Sequence, residues 1–501
     1  MEQQNRVHWL SWLFVILMSV ALQYAVPVAS DEAYFISWGR SLVPGVYDHP
    51  PMPAWISFGL WRLNDLVGFN SLEGLHRGFA LFLGVASLGF LALRLHRMRL
   101  PIGPSLIAVA MVPGYILLFN LYLNDTVLTF LSLLFVLAVD NAYRAERNVW
   151  VAIVIAALAF AAMLLTKYNG AVVFLGMVLA FATWPNAWRF LFTRMFAISL
   201  LALAPFLWHL WWNYQNCSVN LAFNFDFRTS AATGFGPLWV LLTLLIMTGP
   251  LAVLVLLGLR RTLFVGFFAR VFLASLVVVL AISVLRGEFG VNWGAPLGFM
   301  AVLALAEVNP RAMEIARKFG LILSFVSLVP LAALLILLKS GSLPPEAIAS
   351  PREGFTVRML YDIDEGDLIT ELRGFAAGRP VAVMEYGVGA SLINAGFSDV
   401  LVFSKSVYGR NQDLTTDFRA YDGQDIVLLA PTAEGETRLA NELFDSAEVH
   451  RIQTDRQSYQ VILGRNFRYD VYRTNWILPV LTGLYEQSRI PHGNCYMNIY
   501  Y

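Results

Sequence analysis

The chain has 501 residues, of which 58% are hydrophobic and 14% are charged. In soluble globular proteins about a quarter of the residues are charged and just under half are apolar. The composition therefore indicates a protein that lies largely in lipid. A formal net charge of +1 gives no support for a nucleic-acid partner. The two cysteines, Cys217 and Cys495, are too few for a disulfide scaffold or a cysteine-rich metal site.

The first apolar run extends from Trp9 to Val28. Arg6 before it and the small residues 28–30 after it are also typical of a signal peptide with a cleavage site. However, the run is about as long as a membrane span, whereas the apolar core of a signal peptide has roughly 15 residues at most. We therefore interpret it as an uncleaved first span, with cleavage before Asp31 as the alternative.

Apolar runs separated by short polar breaks continue along two thirds of the chain. They are Trp9–Val28, Phe79–Leu95, Ser105–Phe119, Val127–Val139, Val149–Leu165, Ala171–Trp184, Phe196–Trp212, Leu238–Leu259, Val271–Leu285, Trp293–Ala306 and Leu321–Leu338. Several are shorter than the ~20 residues that cross a bilayer core. The pattern predicts an α-helical polytopic membrane protein with about eleven spans and an upper bound of thirteen.

Basic residues concentrate at alternate breaks between these runs. They are Arg94, Arg97, Arg99, Arg144, Arg147, Arg189, Arg194, Arg260, Arg261, Arg270, Arg311, Arg317 and Lys318. Loops rich in Lys and Arg stay in the cytoplasm, so these breaks define the predicted cytoplasmic face. An odd number of spans then places everything after Lys339 outside.

The composition changes near Ser340, which divides the chain into a membrane domain, residues 1–339, and a terminal domain, residues 340–501. The apolar runs of the terminal domain have the length of strands: Val381–Met384, Val400–Phe403, Ile426–Leu429 and Tyr459–Leu463. Polar stretches such as Thr432–Phe444 are able to form helices. Short β-branched runs that alternate with helical stretches predict a small extracytoplasmic α/β domain. It contains no nucleotide-binding glycine loop.

The longest outer loop of the membrane domain covers residues 29–76. It begins with Asp31-Glu32 directly after the first span and continues to Asp48-His49-Pro50-Pro51. Residues 55–66 alternate aromatic and polar side chains, which is typical of a helix lying in the membrane interface. Carboxylates near hydrocarbon are costly and often functional. The alternative is a solvated helix start, where acids complement the helix dipole.

This loop resembles the first periplasmic loop of GT-C membrane glycosyltransferases. The similar group is the bacterial branch of the protein O-mannosyltransferase superfamily, which includes the lipid A aminoarabinose transferase and related lipopolysaccharide sugar transferases. Further short matches follow in chain order on the predicted outer face: Asn124-Asp125-Thr126, Leu165-Thr166-Lys167, Trp212-Asn213 and Asn292-Trp293-Gly294-Ala295-Pro296. The resemblance covers the membrane domain well and the terminal domain only in architecture.

The resemblance implies an inverting sugar transfer from a polyprenyl-phosphate carrier. Asp31 matches the acid that acts as base on the acceptor hydroxyl, a role that suits a carboxylate at a dry boundary. Glu32 is expected to orient Asp31 or to bind sugar. The leaving phosphate needs nearby cations, and His49 and Lys167 match basic positions that serve this purpose.

Three further residues complete the predicted donor phosphate and sugar site. Asp48 belongs to the loop motif, and relatives use an acid matching Asp125 near the site. Arg286 is predicted from its outer location alone. Alternatives remain for two members, because Lys167 could extend towards the membrane surface from a helix end and Asp125 could be the N-cap of its helix, which from the sequence is its expected role.

Two positions depart from the family pattern. Tyr34 stands where relatives carry an arginine, and His49 stands where they carry a lysine. Both changes remove permanent positive charge, so they concern the donor sugar and the pH dependence more than the reaction class. Asp48 and His49 alone do not make a metal site. We therefore predict no cofactor and assign no divalent cation.

The sequence thus predicts an enzyme of the bacterial inner membrane that transfers one sugar to lipid A, lipopolysaccharide or another envelope glycan. Its partners are the polyprenyl-phosphate donor, a lipid or glycan acceptor and membrane lipids. One alternative is a protein O-glycosyltransferase. Others are a ligase or polymerase with diphosphate-linked donors and a non-enzymatic transporter or flippase. A transporter would carry its charges in mid-span, and the lack of an internal repeat also argues against one.

Overall fold

The structure is a computed structural model. It describes the whole chain except residues 1, 29, 146–147, 186, 228–235, 259–265, 288, 348–350, 405, 431–439 and 494–501. Cys495, three of the arginines used for orientation (147, 260 and 261) and most of the predicted helical stretch 432–444 are outside the described residues. The chain divides into two compact units. The first comprises Met1–Tyr24, His76–His209 and Ala232–Ala333; the second comprises Ala25–Leu75, Leu210–Ala231 and Leu334–Tyr501.

Helices built from the apolar runs make up the first unit. They are α1 (Glu2–Ala25), α4 (Leu72–Arg97), α5 (Ile102–Ala110), α6 (Pro113–Leu118), α7 (Asn124–Arg144), α8 (Val149–Thr166), α9 (Gly170–Ala182), α10 (Trp188–Gln215), α11 (Pro237–Thr248), α12 (Leu251–Gly258), α13 (Phe267–Arg286), α14 (Ala295–Val308) and α15 (Ala312–Lys339). Every predicted apolar run is therefore helical over most of its length.

Seven helices in the described part of the chain are long and apolar enough to cross a membrane. The pair α11 and α12 adds an eighth if it is one broken span, although its two helices meet at 105°. Helix α9 and residues 292–308 are apolar but shorter. The predicted count of eleven spans is thus not confirmed.

Two of the predicted runs are interrupted, and proline explains both breaks. Helix α5 ends at Ala110, and α6 starts at Pro113, whose ring cannot continue the preceding helix. Between α11 and α12, Gly249 has a φ of 57° and is followed by Pro250. A left-handed glycine before a proline ends a helix at low cost. A sequence average over each run does not reveal these bends.

The second unit combines the outer loop with the terminal domain. The loop forms α2 (Ser30–Ser37) and α3 (Met52–Val67), which agrees with the helix expected over residues 55–66. Helix α3 packs on α2, where the Ser57 hydroxyl and the Trp61 indole N–H each donate a 2.9 Å hydrogen bond to the Ile36 carbonyl. The outer loop therefore has its own internal packing and belongs to one compact unit with the terminal domain.

A five-stranded sheet forms the centre of the terminal domain. The longer helices and the strands of this domain are α16 (Pro351–Glu365), α17 (Asp367–Ala376), β1 (Val381–Val383), α18 (Tyr386–Asn394), β2 (Val400–Val402), β3 (Ile426–Ala430), β4 (Phe444–Gln453) and β5 (Ser458–Phe467). The strand order is β2-β1-β3-β5-β4, in which β1 is parallel to β2 and β3, and β5 is antiparallel to β3 and β4. Alternate strand residues enter two apolar cores, one on each face.

Cys217 belongs to the core on one face of this sheet. It is fully buried and is part of a disulfide bond. Cys495, the other cysteine of the sequence, lies outside the described residues. Disulfides form and persist mainly in oxidising compartments.

Candidate active site

The two acids that open the outer loop occupy different environments. Helix α2 begins at Ser30, and Asp31 and Glu32 lie in its first turn, where the helix dipole favours negative charge. Glu32 is only 4% exposed, whereas Asp31 is exposed. Of the two, only Asp31 is therefore accessible to a substrate.

A tyrosine of the terminal domain holds Asp31. The Tyr386 hydroxyl donates a 2.7 Å hydrogen bond to Asp31 Oδ1 and lies 3.4 Å from Ser30 Oγ. Burial raises the pKa of Tyr386, and the Asp31 carboxylate raises it further, so the hydroxyl keeps its proton and remains a donor. Tyr386 was not predicted from the sequence, because it is 355 residues from Asp31 and lies in no recognisable motif.

Close packing of α18 against α2 fixes this contact. Asn394, at the far end of α18, donates a 3.0 Å hydrogen bond to the Ala33 carbonyl. A Cβ atom at Gly387 would lie 2.8 Å from Ser30 Cα, so only glycine allows the two helices to approach so closely. Both ends of α18 are therefore joined to the helix that carries Asp31.

Tyr34, at the position where relatives carry an arginine, lies beside this contact. Its ring packs edge-on against the rings of Tyr386 and Trp38, with centroids 5.0 Å and 4.9 Å away. Burial raises the pKa of Tyr34 well above its usual value, and the nearby Asp48 carboxylate raises it further. Tyr34 is therefore neutral and gives this part of the loop no positive charge.

The Asp48-His49 pair lies in the same unit. Asp48 is buried, and its carbonyl accepts hydrogen bonds from Asn224 Nδ2 at 2.9 Å and from His49 Nδ1 at 2.5 Å. The His49 ring packs near Phe35, with centroids 5.4 Å apart. No group of three His, Cys, Asp or Glu side chains suited to a metal ion occurs among the described residues.

In the first unit, three short sequence motifs meet at Asp125. Lys167 Nζ donates to both carboxylate oxygens of Asp125, at 2.9 Å and 3.0 Å, and Asn292 Nδ2 donates to Oδ2 at 2.6 Å. The side chains of the ion pair are only 12% and 13% exposed. The expected N-cap role is wrong, because the N-cap of α7 is Leu123 and Asp125 binds Lys167 instead.

Arg286 lies next to the last of these motifs. It is the final residue of α13, and its guanidinium stands 5.6 Å from the centroid of the Trp293 ring, a cation–π distance. Arg286 thus contacts the segment that supplies Asn292. Tyr168, the residue after Lys167, was not predicted from the sequence; its hydroxyl lies 2.9 Å from the fully buried His209 Nε2.

The first unit also contains an apolar cavity of about 310 Å³. Residues of α1, α4, α5, α6 and α14 form its walls, which are almost entirely hydrocarbon and include Val15, Leu81 and Phe299. Asn120 and Gln23 are its main polar groups, and Gln23 Nε2 donates to Asn120 Oδ1 at 3.1 Å. A cavity of this composition suits an aliphatic chain.

Neither protein-family models nor curated proteins match this sequence. Solved structures do match its fold. ArnT from Cupriavidus metallidurans in the apo state has a TM-score of 0.59 at 13% identity, with coverage of 92% of this chain and 98% of ArnT. ArnT bound to undecaprenyl phosphate has a TM-score of 0.56 at 14% identity, with 90% and 97% covered. The apo oligosaccharyltransferase of Archaeoglobus fulgidus has a TM-score of 0.44 at 11% identity, with 84% and 69% covered.

The chain is a multi-pass membrane protein with the GT-C fold, the architecture of membrane glycosyltransferases that the outer-loop motif predicted. Within that class it shares the fold of ArnT over almost the full length of both chains. At 13% identity this likeness concerns the fold. The activity has to be argued from the residues of the site.

Proposed function

We propose that this protein is a glycosyltransferase that takes one sugar from a polyprenyl-phosphate carrier. It transfers the sugar to a lipid or glycan of the cell envelope, at the outer face of the bacterial inner membrane. The observation that carries this proposal is the exposed carboxylate of Asp31, held by Tyr386 at the start of the outer loop in a chain with the fold of ArnT.

The proposed reaction is a single displacement. An acceptor oxygen attacks the anomeric carbon while its proton passes to the Asp31 carboxylate. The bond between the anomeric carbon and the phosphate oxygen breaks, and the polyprenyl phosphate leaves with the electron pair. The configuration at the anomeric carbon is inverted. Positioned proton transfer of this kind is typically worth 10²–10⁴-fold in rate.

The first unit offers features that suit the donor. Its apolar cavity matches the chemistry of a polyprenyl tail, and a solved ArnT structure contains undecaprenyl phosphate. Lys167 and Arg286 are the proposed phosphate-binding cations. Because Asp125 already accepts two hydrogen bonds from Lys167, we propose that Asp125 and Asn292 orient the ammonium group and leave its remaining donor for the phosphate.

The transporter alternative is less well supported. Asp125 lies in the first turn of α7, Lys167 directly follows α8, and Arg286 ends α13. Charges at the ends of helices suit a reaction at the membrane surface better than a pathway through its middle. A protein acceptor remains the second candidate, because the same chemistry would glycosylate a side-chain hydroxyl.

Asp31→Asn tests the proposal, because it keeps the size of the side chain but removes the proton acceptor. The assay uses purified protein with radiolabelled polyprenyl-phosphate sugars and an envelope lipid extract as acceptor, and it measures retained donor separately from product. We expect turnover to fall by about 10²–10⁴-fold with donor retention unchanged. Asp65→Asn, a surface acid that pairs with Arg62 on α3, is the matched control. Near-normal turnover in Asp31→Asn would show that Asp31 is not the base and would overturn the observation that carries the proposal.

A further inference from the structure

The second unit contains a cavity of about 430 Å³ whose walls do not include Asp31, Lys167 or Arg286. Its walls come from α2 and the short helix Trp38–Arg40 that follows it on one side. On the other side are α18, strand β2 with the two residues before it, and side chains from residues 409–421. We call it the loop–domain cavity. Its volume lies within the ~300–1,000 Å³ typical of small-molecule sites.

The cavity follows the face of α2 that carries Asp31. Tyr34 is three residues after Asp31, a spacing that places both on one side of α2, and Trp38 begins the short helix that follows. Tyr34, Trp38 and Tyr386 line the cavity, and the hydroxyl of Tyr386 is the group that binds Asp31. A ligand in the cavity would therefore extend along α2 towards the proposed base.

The polar walls of the cavity are fixed by hydrogen bonds to the main chain. Gln412 accepts from the Val402 amide and donates to the Val400 carbonyl, both at 2.7 Å, so it extends the free edge of β2. Asn411 Oδ1 accepts from the Tyr47 amide at 3.1 Å. Amide side chains both donate and accept, and those held in one orientation suit the hydroxyl groups of a sugar.

The charges of the cavity do not suit a phosphate. Arg40 is the basic side chain among the described residues of its lining, and its Nη1 donates to the Ser398 carbonyl at 2.8 Å. Two carboxylates, Asp399 and Asp417, also line the cavity, and Asp417 is paired with Arg419 at 2.8 Å. The combination of aromatic rings, fixed amides, hydroxyls and balanced charge favours a neutral ligand rich in hydroxyl groups.

We propose that the loop–domain cavity binds a phosphate-free saccharide portion of the acceptor, one or more residues away from the hydroxyl that reacts. This inference rests on the proposed function, because it assigns the acceptor of that reaction. It implies that the enzyme recognises its acceptor through sugar rings and not through a phosphate group, and that residues of the outer loop and of the terminal domain select the acceptor together.

The test uses full-length protein in lipid nanodiscs and isothermal titration calorimetry. The probe is the oligosaccharide fraction released by mild acid from envelope glycolipids of the source organism, with and without phosphatase treatment. Ser41, an exposed residue of the lining with extended backbone, is changed to Trp to fill the cavity from its rim. Ser446→Trp on the exposed edge strand β4 is the matched control.

We expect phosphatase-treated oligosaccharide to bind as tightly as the untreated fraction. Ser41→Trp should weaken this binding tenfold or more at an unchanged melting temperature, whereas Ser446→Trp should not. Binding that requires the phosphate, binding unaffected by Ser41→Trp, or no binding of either fraction would overturn the inference. Retention of the labelled polyprenyl donor is measured on the same samples. If the proposed function is wrong, the wild-type protein will not retain the labelled donor. If only this inference is wrong, the wild-type protein will still retain the donor.

Discussion

Replacing Tyr386 with phenylalanine removes one hydrogen-bond donor from the proposed base and little else. The edge-on ring contact with Tyr34, at 5.0 Å, does not involve the hydroxyl, so the packing of α18 on α2 should persist. The variant loses the 2.7 Å hydrogen bond to Asp31 Oδ1 and the weaker 3.4 Å contact with Ser30 Oγ. The variant therefore separates the positioning of Asp31 from the stability of the second unit.

Hydrogen bonds to charged groups contribute about 1.5–3 kcal/mol. Since Asp31 is exposed and water can replace part of the bond, we take the lower end of this range. About 1.4 kcal/mol corresponds to a tenfold change in rate, so kcat should fall about tenfold. Donor retention should not change, and the melting temperature should fall only slightly, because water can replace part of the lost bond. The labelled-donor assay measures the first two quantities, and thermal unfolding measures the third.

Tyr408→Phe is the matched control, because Tyr408 lies in the same domain and is 42% exposed. In an Asp31→Asn background, Tyr386→Phe should have almost no further effect on kcat, since residues that act as a unit are not additive. An unchanged kcat in the single variant would refute the positioning role. A large fall in melting temperature would show that the hydroxyl mainly stabilises the fold.

Three other predictions follow from the contacts described above. Lys167→Met should leave Asp125 as a buried charge without its ion-pair partner and destabilise the protein by about 3–5 kcal/mol. Thermal unfolding of the double variant Asp125→Asn with Lys167→Met should show that most of this stability is recovered. A double variant as unstable as the single one would contradict the prediction. Gly387→Ala should push α2 away from α18 and lower both melting temperature and turnover, while Gly374→Ala, where nothing lies within 4 Å of the added Cβ, should change neither. Reporter fusions after Arg99 and after Gly341 should report cytoplasm and the outside, respectively, and a cytoplasmic signal at Gly341 would place the terminal domain on the wrong face.

The parts of the fold that the sequence predicts are those with strong local patterns. Each long apolar run is helical over most of its length, and the β-branched runs beginning at Val381, Val400, Ile426 and Tyr459 lie in strands. Strand β4 was missed because its residues are mostly exposed and many are charged or polar. Edge strands commonly carry such side chains because these discourage pairing with other chains, and the same composition removes the hydrophobic pattern that prediction requires.

In the candidate site, too, the sequence predicts the residues that lie in local motifs but not the contacts between distant segments. The motif around Asp31 stands out because two acids directly follow an apolar run, and Asn124–Thr126, Leu165–Lys167 and Asn292–Pro296 stand out only as a set. Their meeting at Asp125 depends on helix packing, which no single motif encodes. Tyr386 could not be predicted, since a tyrosine after a short strand is common and its partner lies 355 residues away.

The close contact of Gly387 with Ser30 affects how this protein can be divided in engineering. A cut near residue 340 follows the order of the chain, yet it would separate α2 from the helix that holds it in place. Chimaeras that exchange the terminal domain between relatives should therefore exchange residues 25–75 and 210–231 together with it. In related sequences, the residues at positions 30 and 31 are expected to vary together with those at 386 and 387, which they contact.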